Sequence, residues 1–259
     1  MNFHLDALEP LAMVVARVTG VMLAAPIFSG SQVPTRVKVF FTLALSVIMF
    51  GALNETNRQG LGTPLPFMLL KLGLEIFLGL GIGLAFRWSL AAAGVAGELI
   101  GLQMGIGIAS TVDPNSGQGA MLTEGIYALA FSTIFLAFDG HHEVIRSLRA
   151  SFDAVPPGHG TFNTRAALAI IPQTMAMMSI GIRLAVVVML PLFLVSVGIA
   201  LVSRAFPQAN VYSLGYSVTL MMGLVLMASA GPSLQAVVMQ GIRTGTHDAV
   251  NWLQWFVAR

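Results

Sequence analysis

Long apolar runs constrain this chain more than any other feature of its sequence. They cover residues 11–28, 37–53, 65–86, 120–138, 166–182, 184–202 and 213–230. Most of them approach the roughly 20 apolar residues that an α-helix needs to cross a bilayer. Only 9% of the chain is charged, whereas a soluble domain carries about 25%. We therefore predict an all-α, polytopic membrane-type protein built of helical hairpins.

Short joints separate these runs. Gly30 and Pro34 break the chain between the first two runs, which are expected to form a hairpin. The run that begins at residue 65 resumes after Arg87 and continues to Ile108, so this region is either one kinked helix pair or two helices. We therefore expect some of the helices to be broken.

The longest polar stretch covers residues 139–165. In its first half, apolar residues recur at helical spacing: Val144, Ile145, Leu148 and Phe152. This is the pattern of an amphipathic helix. The Pro-Pro-Gly sequence at 156–158 should end that helix.

The charge and cysteine content exclude several classes of protein. With 13 Lys+Arg against 11 Asp+Glu, the net charge of +2 provides no basic field for nucleic acid. The absence of cysteine excludes disulfides and thiolate metal sites. His141 and His142 are adjacent, so on a helix they should point about 100° apart, and we expect no metal site. The sequence has no Gly-x-Ser-x-Gly, HExxH or P-loop pattern, so we expect neither an enzyme nor a cofactor.

Six charged residues interrupt the apolar runs: Arg17, Lys71, Glu75, Glu98, Glu124 and Arg183. A charge that faced lipid there would cost about 2.5–3.5 kcal/mol, so we expect these buried charges to face protein or water. Lys71 and Glu75 are four residues apart, on one face of a helix, and can pair with each other. Structural pairing between packed helices is the simpler interpretation, and a relay for protons or ions is the alternative.

Small residues recur at every fourth position near the middle of the chain. Such steps occur at Gly97, Gly101, Gly105 and Ala109, and upstream at Gly79 and Gly83. On a helix they form a flat ridge that lets a second backbone approach closely. The partner helix belongs either to this chain or to another subunit of a larger assembly.

A polar segment interrupts the apolar sequence between residues 111 and 119. Pro114 prevents a regular helix from continuing through it, and the neighbouring glycines supply hinges. Asn115 and Ser116 can satisfy backbone groups of a turn locally. Taken by itself, the segment is either an ordinary surface turn or a loop that rearranges at modest cost.

Three stretches together resemble one known family. They are AGELIGLQMGIGIASTVDP at 96–114, FLAFDGHHEVIRSLRASFDAVPPG at 135–158 and SRAFPQANVYSLGY at 203–216, and the similarity begins with RVTGVMLAAPIFSGSQVP at 17–34. In this order and spacing they resemble the FliR/SctT family of integral components of the bacterial type III protein export gate. The Asp-Gly-His sequence at 139–141 departs from the Asn-Gly-His that the family commonly shows, which bears only on a cap or turn. The Gly-His-His stretch favours the flagellar branch of the family over the injectisome branch.

The resemblance implies that this subunit belongs to a helical, hetero-oligomeric export gate. One copy would join several copies of FliP-like and FliQ-like subunits, together with a FlhB-like subunit, around a channel for unfolded export substrates. The subunit would contact lipid in the bacterial inner membrane, at the flagellar basal body. Residues 1–259 would form one FliR-like domain. Its FliP-like part would cover about 1–165, and a C-terminal part with a FliQ-like hairpin would cover about 166–259.

The resemblance also implies a role for the polar segment. The matching segment of the family is considered a plug in the channel of the closed gate. Here we call it the gate loop, and it comprises Gly107, Ile108, Ala109, Ser110, Thr111, Val112, Asp113, Pro114, Asn115, Ser116, Gly117, Gln118 and Gly119. An arriving unfolded substrate would displace it, so the loop would move between discrete states.

A second polar joint contains Arg204, Pro207 and Asn210. Pro207 lacks a backbone donor and favours a bend, so we expect a bend and an intersubunit contact there. A stand-alone secondary transporter, whose intramembrane charges bind an ion or solute, is the alternative function. A transporter should show related halves, and no convincing repeat relates residues 1–130 to 131–259.

Overall fold

The computed structural model describes residues 8–30, 33–55, 64–106, 121–161, 168, 170–205, 211–254 and 256. In these ranges the long regular elements are all α-helices, which confirms the predicted all-α class. They are α1 (Leu8–Ala24), α2 (Thr35–Gly51), α3 (Leu65–Gln103), α4 (Met121–Ala137), α5 (Gly140–Ala154), α6 (Ile170–Ala205), α7 (Val211–Ser229) and α8 (Gly231–Gln254).

Two of the helices are longer than the apolar runs suggested. The region after residue 65 is one helix of 39 residues, α3, and not two helices. The runs 166–182 and 184–202 also join, in the 36-residue α6. Arg87 and Arg183 interrupt the apolar composition in these regions, but arginine is a good helix former and does not interrupt the backbone.

The long helices reach the dimensions of a membrane span. Residues 66–103 of α3 and 170–205 of α6 are each long and apolar enough to cross a bilayer. Two further pairs, α4 with α5 and α7 with α8, each pass as one broken span, which gives two to four candidate spans in the described part of the chain. The broken helices predicted from the sequence are therefore present.

The predicted amphipathic helix is α5. Its buried side includes Val144, Leu148 and Phe152, and its charged residues lie on the more exposed side. The helix ends at Ala154, and Val155 adopts an extended conformation just before the two prolines. The predicted helix and its end are thus confirmed, while Ile145, also predicted on the apolar side, is only partly buried.

The chain forms two compact units, each made from separated segments. Unit 1 comprises residues 1–88, 138–173 and 241–259, and unit 2 comprises residues 89–137 and 174–240. The division at about residue 165, which the family resemblance implied, stays a prediction.

Close backbone packing of α1 against α3 forms the centre of unit 1. A Cβ added to Gly79 would clash with the carbonyl oxygen of Arg17, and one added to Gly83 would lie 2.7 Å from the Cβ of Ala24. Gly20, on the opposing helix, would likewise collide with the carbonyl oxygen of Ile76. Small residues on both helices therefore bring the two backbones into contact, as in apolar helix pairs of membranes.

The C-terminal helix contributes aromatic side chains to the same unit. The Trp252 ring lies 5.5 Å from the rings of Phe77 and Phe256, measured between centroids. It also occupies the space beside Gly81, where a Cβ would overlap the indole. Thr161 donates from its backbone N–H to the carbonyl oxygen of Phe256 at 3.2 Å. The end of α8 is therefore part of the core of unit 1.

Candidate functional site

The helix that precedes the gate loop has a defined end. Gly105 has a φ of 78°, in the left-handed region. Its N–H donates to the carbonyl oxygen of Leu102 at 3.1 Å, and the Ile106 N–H donates to that of Gly101 at 3.1 Å. This pair of bonds is a Schellman motif, which satisfies the last carbonyl groups of a helix and favours glycine at the left-handed position. The last carbonyl groups of α3 are therefore hydrogen-bonded, and the helix has ended before the gate loop begins.

This geometry corrects one prediction. Gly105 was assigned to a packing ridge with Gly97 and Gly101, but α3 ends at Gln103, so Gly105 terminates the helix and does not lie on that ridge. The four-residue spacing of these glycines in the sequence does not show that the helix ends before Gly105.

Gly97 and Gly101 pack against α4, which follows the gate loop. A Cβ on Gly97 would lie 2.7 Å from the Cα of Glu124, and a Cβ on Gly101 would collide with the side-chain oxygen of Thr123. The ridge partner in the described structure is therefore a helix of the same chain. The two helices that flank the gate loop are in close contact within unit 2.

The gate loop itself, residues 107–119, lies outside the described residues. Its predicted position in a channel stays a prediction. The structure gives its two ends, at the Schellman motif after α3 and at the start of α4.

A buried ion pair lies in unit 1. The Nε of Arg17 on α1 donates to Oε2 of Glu75 on α3 at 2.6 Å, and the two side chains are 0% and 1% exposed. The Arg17 guanidinium also lies over the Phe152 ring, 4.5 Å from its centroid, where an arginine gains cation–π stabilisation. Each charge is neutralised within the protein.

The ion pair also holds two parts of the polar stretch 139–161. Nη1 of Arg17 donates to the carbonyl oxygen of Ser151 at 2.9 Å and to its Oγ at 3.2 Å. Oε1 of Glu75 accepts from the N–H of Gly158 at 2.8 Å. Gly158 has a φ of 76°, a conformation that glycine adopts without strain. One salt bridge thus connects α1, α3, the end of α5 and the following turn.

This arrangement favours a structural role for Arg17 and Glu75 over a proton relay. An arginine guanidinium does not release its proton in proteins, and both carboxylate oxygens of Glu75 already accept hydrogen bonds. The sequence placed Glu75 beside Lys71, because residues four apart share a helical face, but could not identify Arg17, which is 58 residues away.

The other predicted buried charges differ from this pair. Lys71 is half-buried, whereas Glu98, Glu124 and Arg183 are exposed on the chain by itself. The prediction of burial is therefore not met within this chain for these three residues, although the backbone of Glu124 packs on Gly97 of α3. Their burial against other subunits stays a prediction.

The remaining predicted positions are only partly described. Arg204 is exposed near the end of α6, and Pro207 and Asn210 lie outside the described residues. An intersubunit contact at these positions stays a prediction.

The two adjacent histidines do not point apart as an ideal helix would require. The ring centroids of His141 and His142 lie 4.1 Å apart, and Nδ1 of His142 lies 3.1 Å from Oδ1 of Asp139. Both histidines belong to α5, and Asp139 adopts a left-handed φ of 56° immediately before this helix begins. The sequence prediction placed both residues on a helix, which the structure confirms, but it did not foresee that their rings approach each other.

Comparison with known proteins identifies the family. The family described as "Bacterial export proteins, family 1" matches residues 8–245. The chain belongs to this family. The match includes the gate loop and both partners of the Arg17–Glu75 ion pair, and it confirms the resemblance seen in the sequence.

Curated relatives of this family 1 export protein carry one name. Flagellar biosynthetic protein FliR of Escherichia coli (strain K12) is 30% identical over 217 residues, which is 83% of this chain and 82% of the relative. Flagellar biosynthetic protein FliR of Bacillus subtilis (strain 168) is 28% identical and covers 88% of each chain. That of Caulobacter vibrioides is 27% identical over 84% of this chain and 86% of the relative.

Proposed function

We propose that this family 1 export protein is a structural and gating subunit of a flagellar type III protein export channel. In this role it is needed for secretion of unfolded flagellar substrates and hence for assembly of the flagellum. The observation that carries the proposal is the family match over residues 8–245. The relatives named flagellar biosynthetic protein FliR support the flagellar branch.

The described helices suit the structural part of this role. The Arg17–Glu75 pair and the glycine contacts of α1 with α3 make unit 1 a tightly packed body. In unit 2, Gly97 and Gly101 hold α3 against α4. A loop between two helices that already contact each other can move without separating them. The gate loop is therefore the part of this protein that we assign to opening and closing.

The exposed surface suits a subunit that has protein neighbours. Glu98, Glu124 and Arg183 are exposed on helices that are otherwise apolar, and a charge at membrane depth needs protein or water beside it. We propose that FliP-like, FliQ-like and FlhB-like subunits cover such faces, with one copy of this chain in each complex. The complex would lie in the bacterial inner membrane, at the flagellar basal body. The role is not enzymatic.

An in-frame deletion of residues 107–119 tests the gating role. The chain is expressed with the proposed FliP-like and FliQ-like subunits, and the purified complex is reconstituted into vesicles. The deletion should leave co-purification of the partners unchanged and should raise the ion conductance of the vesicles. A complex with Gly73→Ala is the matched control, because a Cβ at Gly73 meets nothing within 4 Å.

Two results would contradict the proposal in different ways. Unchanged conductance after the deletion would show that the loop does not gate the channel. If the wild-type chain purifies alone from cells that also express the partner subunits, the assignment to an export gate is wrong.

A further inference from the structure

The start of α5 brings together three side chains that can each bind a metal ion. One ligand atom from each of Asp139, His141 and His142 lies within 4.8 Å of the other two. We call these three residues the histidine–aspartate cluster. It belongs to unit 1 and shares no residue with the Arg17–Glu75 pair.

The carboxylate of Asp139 is turned toward the histidines and not toward the helix. Asp139 is the N-cap residue of α5, but its side chain makes no capping hydrogen bond. An aspartate at this position usually accepts a bond from a backbone N–H of the first turn, which stabilises the helix. Here its Oδ1 lies 3.1 Å from Nδ1 of His142. Asp139 also has a left-handed φ of 56°, a conformation that aspartate adopts as a single residue.

The histidines are also arranged in an unusual way. Their ring centroids are 4.1 Å apart, and Nδ1 of His141 is buried without a hydrogen-bond partner among the described residues. A buried polar atom without a partner is costly.

We propose that the histidine–aspartate cluster binds a divalent transition-metal ion such as Zn²⁺. Imidazole nitrogen suits Zn²⁺, Ni²⁺ and Cu²⁺, and zinc is commonly bound by two histidines and one carboxylate with a fourth position left for water. Ligand atoms that share one zinc lie roughly 3–3.5 Å apart, since each is about 2.0–2.2 Å from the metal. The Asp139–His142 separation of 3.1 Å already fits, and the His141 ligand atom lies within 4.8 Å of the other two.

Access and charge are consistent with this ligand. Asp139 and His142 are exposed, so an ion can reach the cluster from water. Glu143 is engaged by Arg146 at 2.5 Å, which leaves Asp139 as the carboxylate available to the ion. Its negative charge offsets the unfavourable effect of a cation near the N-terminus of a helix. A bound ion would fix the first turn of α5.

The test measures Zn²⁺ binding to the full-length chain. The chain is purified in detergent with a tag that contains no histidine, and binding is measured by calorimetry and by the visible absorption of bound Co²⁺. We expect one ion per chain, with an affinity at least about tenfold weaker in His142→Gln and in Asp139→Asn. Zn²⁺ should also raise the unfolding temperature of the wild-type protein but not of these variants.

The matched control is His247→Gln. His247 also lies beside a carboxylate, with Nδ1 3.6 Å from Oδ1 of Asp248, but no third ligand joins them among the described residues. This variant should bind Zn²⁺ as the wild type does. Equal binding by the wild type and the His142→Gln variant, or an equal loss in the control, would overturn the proposal. So would absence of binding to the wild type at micromolar Zn²⁺.

Discussion

Nε of Arg17 lies 2.6 Å from Oε2 of Glu75, and both side chains are shielded from solvent. An isolated charge in such a position would be strongly destabilising, so each side chain depends on the other. The same two residues hold Ser151 and Gly158. The order of the polar stretch 139–161 is therefore linked to the packing of α1 on α3.

Removal of one partner of this ion pair should destabilise unit 1. Glu75→Gln leaves the Arg17 charge buried without a counter-charge, at a cost of about 3–5 kcal/mol. The Arg17→Met/Glu75→Gln double variant should cost less than the sum of the single changes. Denaturant unfolding in detergent measures all three. Glu143→Gln, in an exposed pair, should change stability by no more than about 1 kcal/mol, and additive single changes would show that the two buried residues are not coupled.

Two glycines of α3 should respond in opposite ways to alanine. Gly79→Ala places a Cβ against the carbonyl oxygen of Arg17, so α1 must move away, at a cost of about 1–3 kcal/mol. Gly73→Ala meets open space and should stabilise the helix by about 1 kcal/mol, because alanine has the higher helix propensity. Unfolding midpoints of the two variants test this. Equal effects would mean that the α1–α3 contact is not close.

The space beside Gly81 should be coupled to the size of residue 252. Gly81→Ala overlaps the Trp252 indole and should destabilise the protein by about 1–3 kcal/mol. Adding Trp252→Phe to that variant should recover part of the loss, because the smaller ring leaves room for the new methyl group. A double-mutant cycle of unfolding free energies gives the coupling. A coupling near zero would contradict the described packing.

The Schellman motif before the gate loop should require glycine. Gly105→Ala places a Cβ on a residue with a φ of 78°, at a cost of about 1–2 kcal/mol. The expected result is a modest loss of stability together with altered ion conductance of the reconstituted complex, because the loop then leaves α3 in a different direction. Gly73→Ala again serves as the control. Normal ion conductance in the Gly105→Ala variant would show that the conformation of this turn does not affect gating.

The sequence predicted the helices better than it predicted their ends and partners. Apolar runs have the length of helices, and the spacing of Val144, Leu148 and Phe152 identified α5. The continuity of α6 through Arg183 was missed, because composition does not reveal whether a charge interrupts the backbone. Gly105 was misassigned for a similar reason, since its spacing from Gly101 fits a helix that has already ended.

The contacts of the charged residues could not be predicted from spacing. Six charges in apolar runs were found, but only the fold brings Arg17 beside Glu75 and leaves Glu98 on the surface. The left-handed turn at Asp139 was also invisible, because aspartate tolerates several backbone conformations there. A partner or a backbone angle depends on neighbours that are distant in the chain.

The aromatic contact of Trp252 with Phe77 has a consequence for biosynthesis. The ribosome adds Trp252 long after α1 and α3 have been made, so the indole cannot fill the space beside Gly81 until then. The packing of unit 1 therefore stays incomplete until residue 252 has been translated. During this interval the nascent protein is vulnerable to proteases and to misassembly.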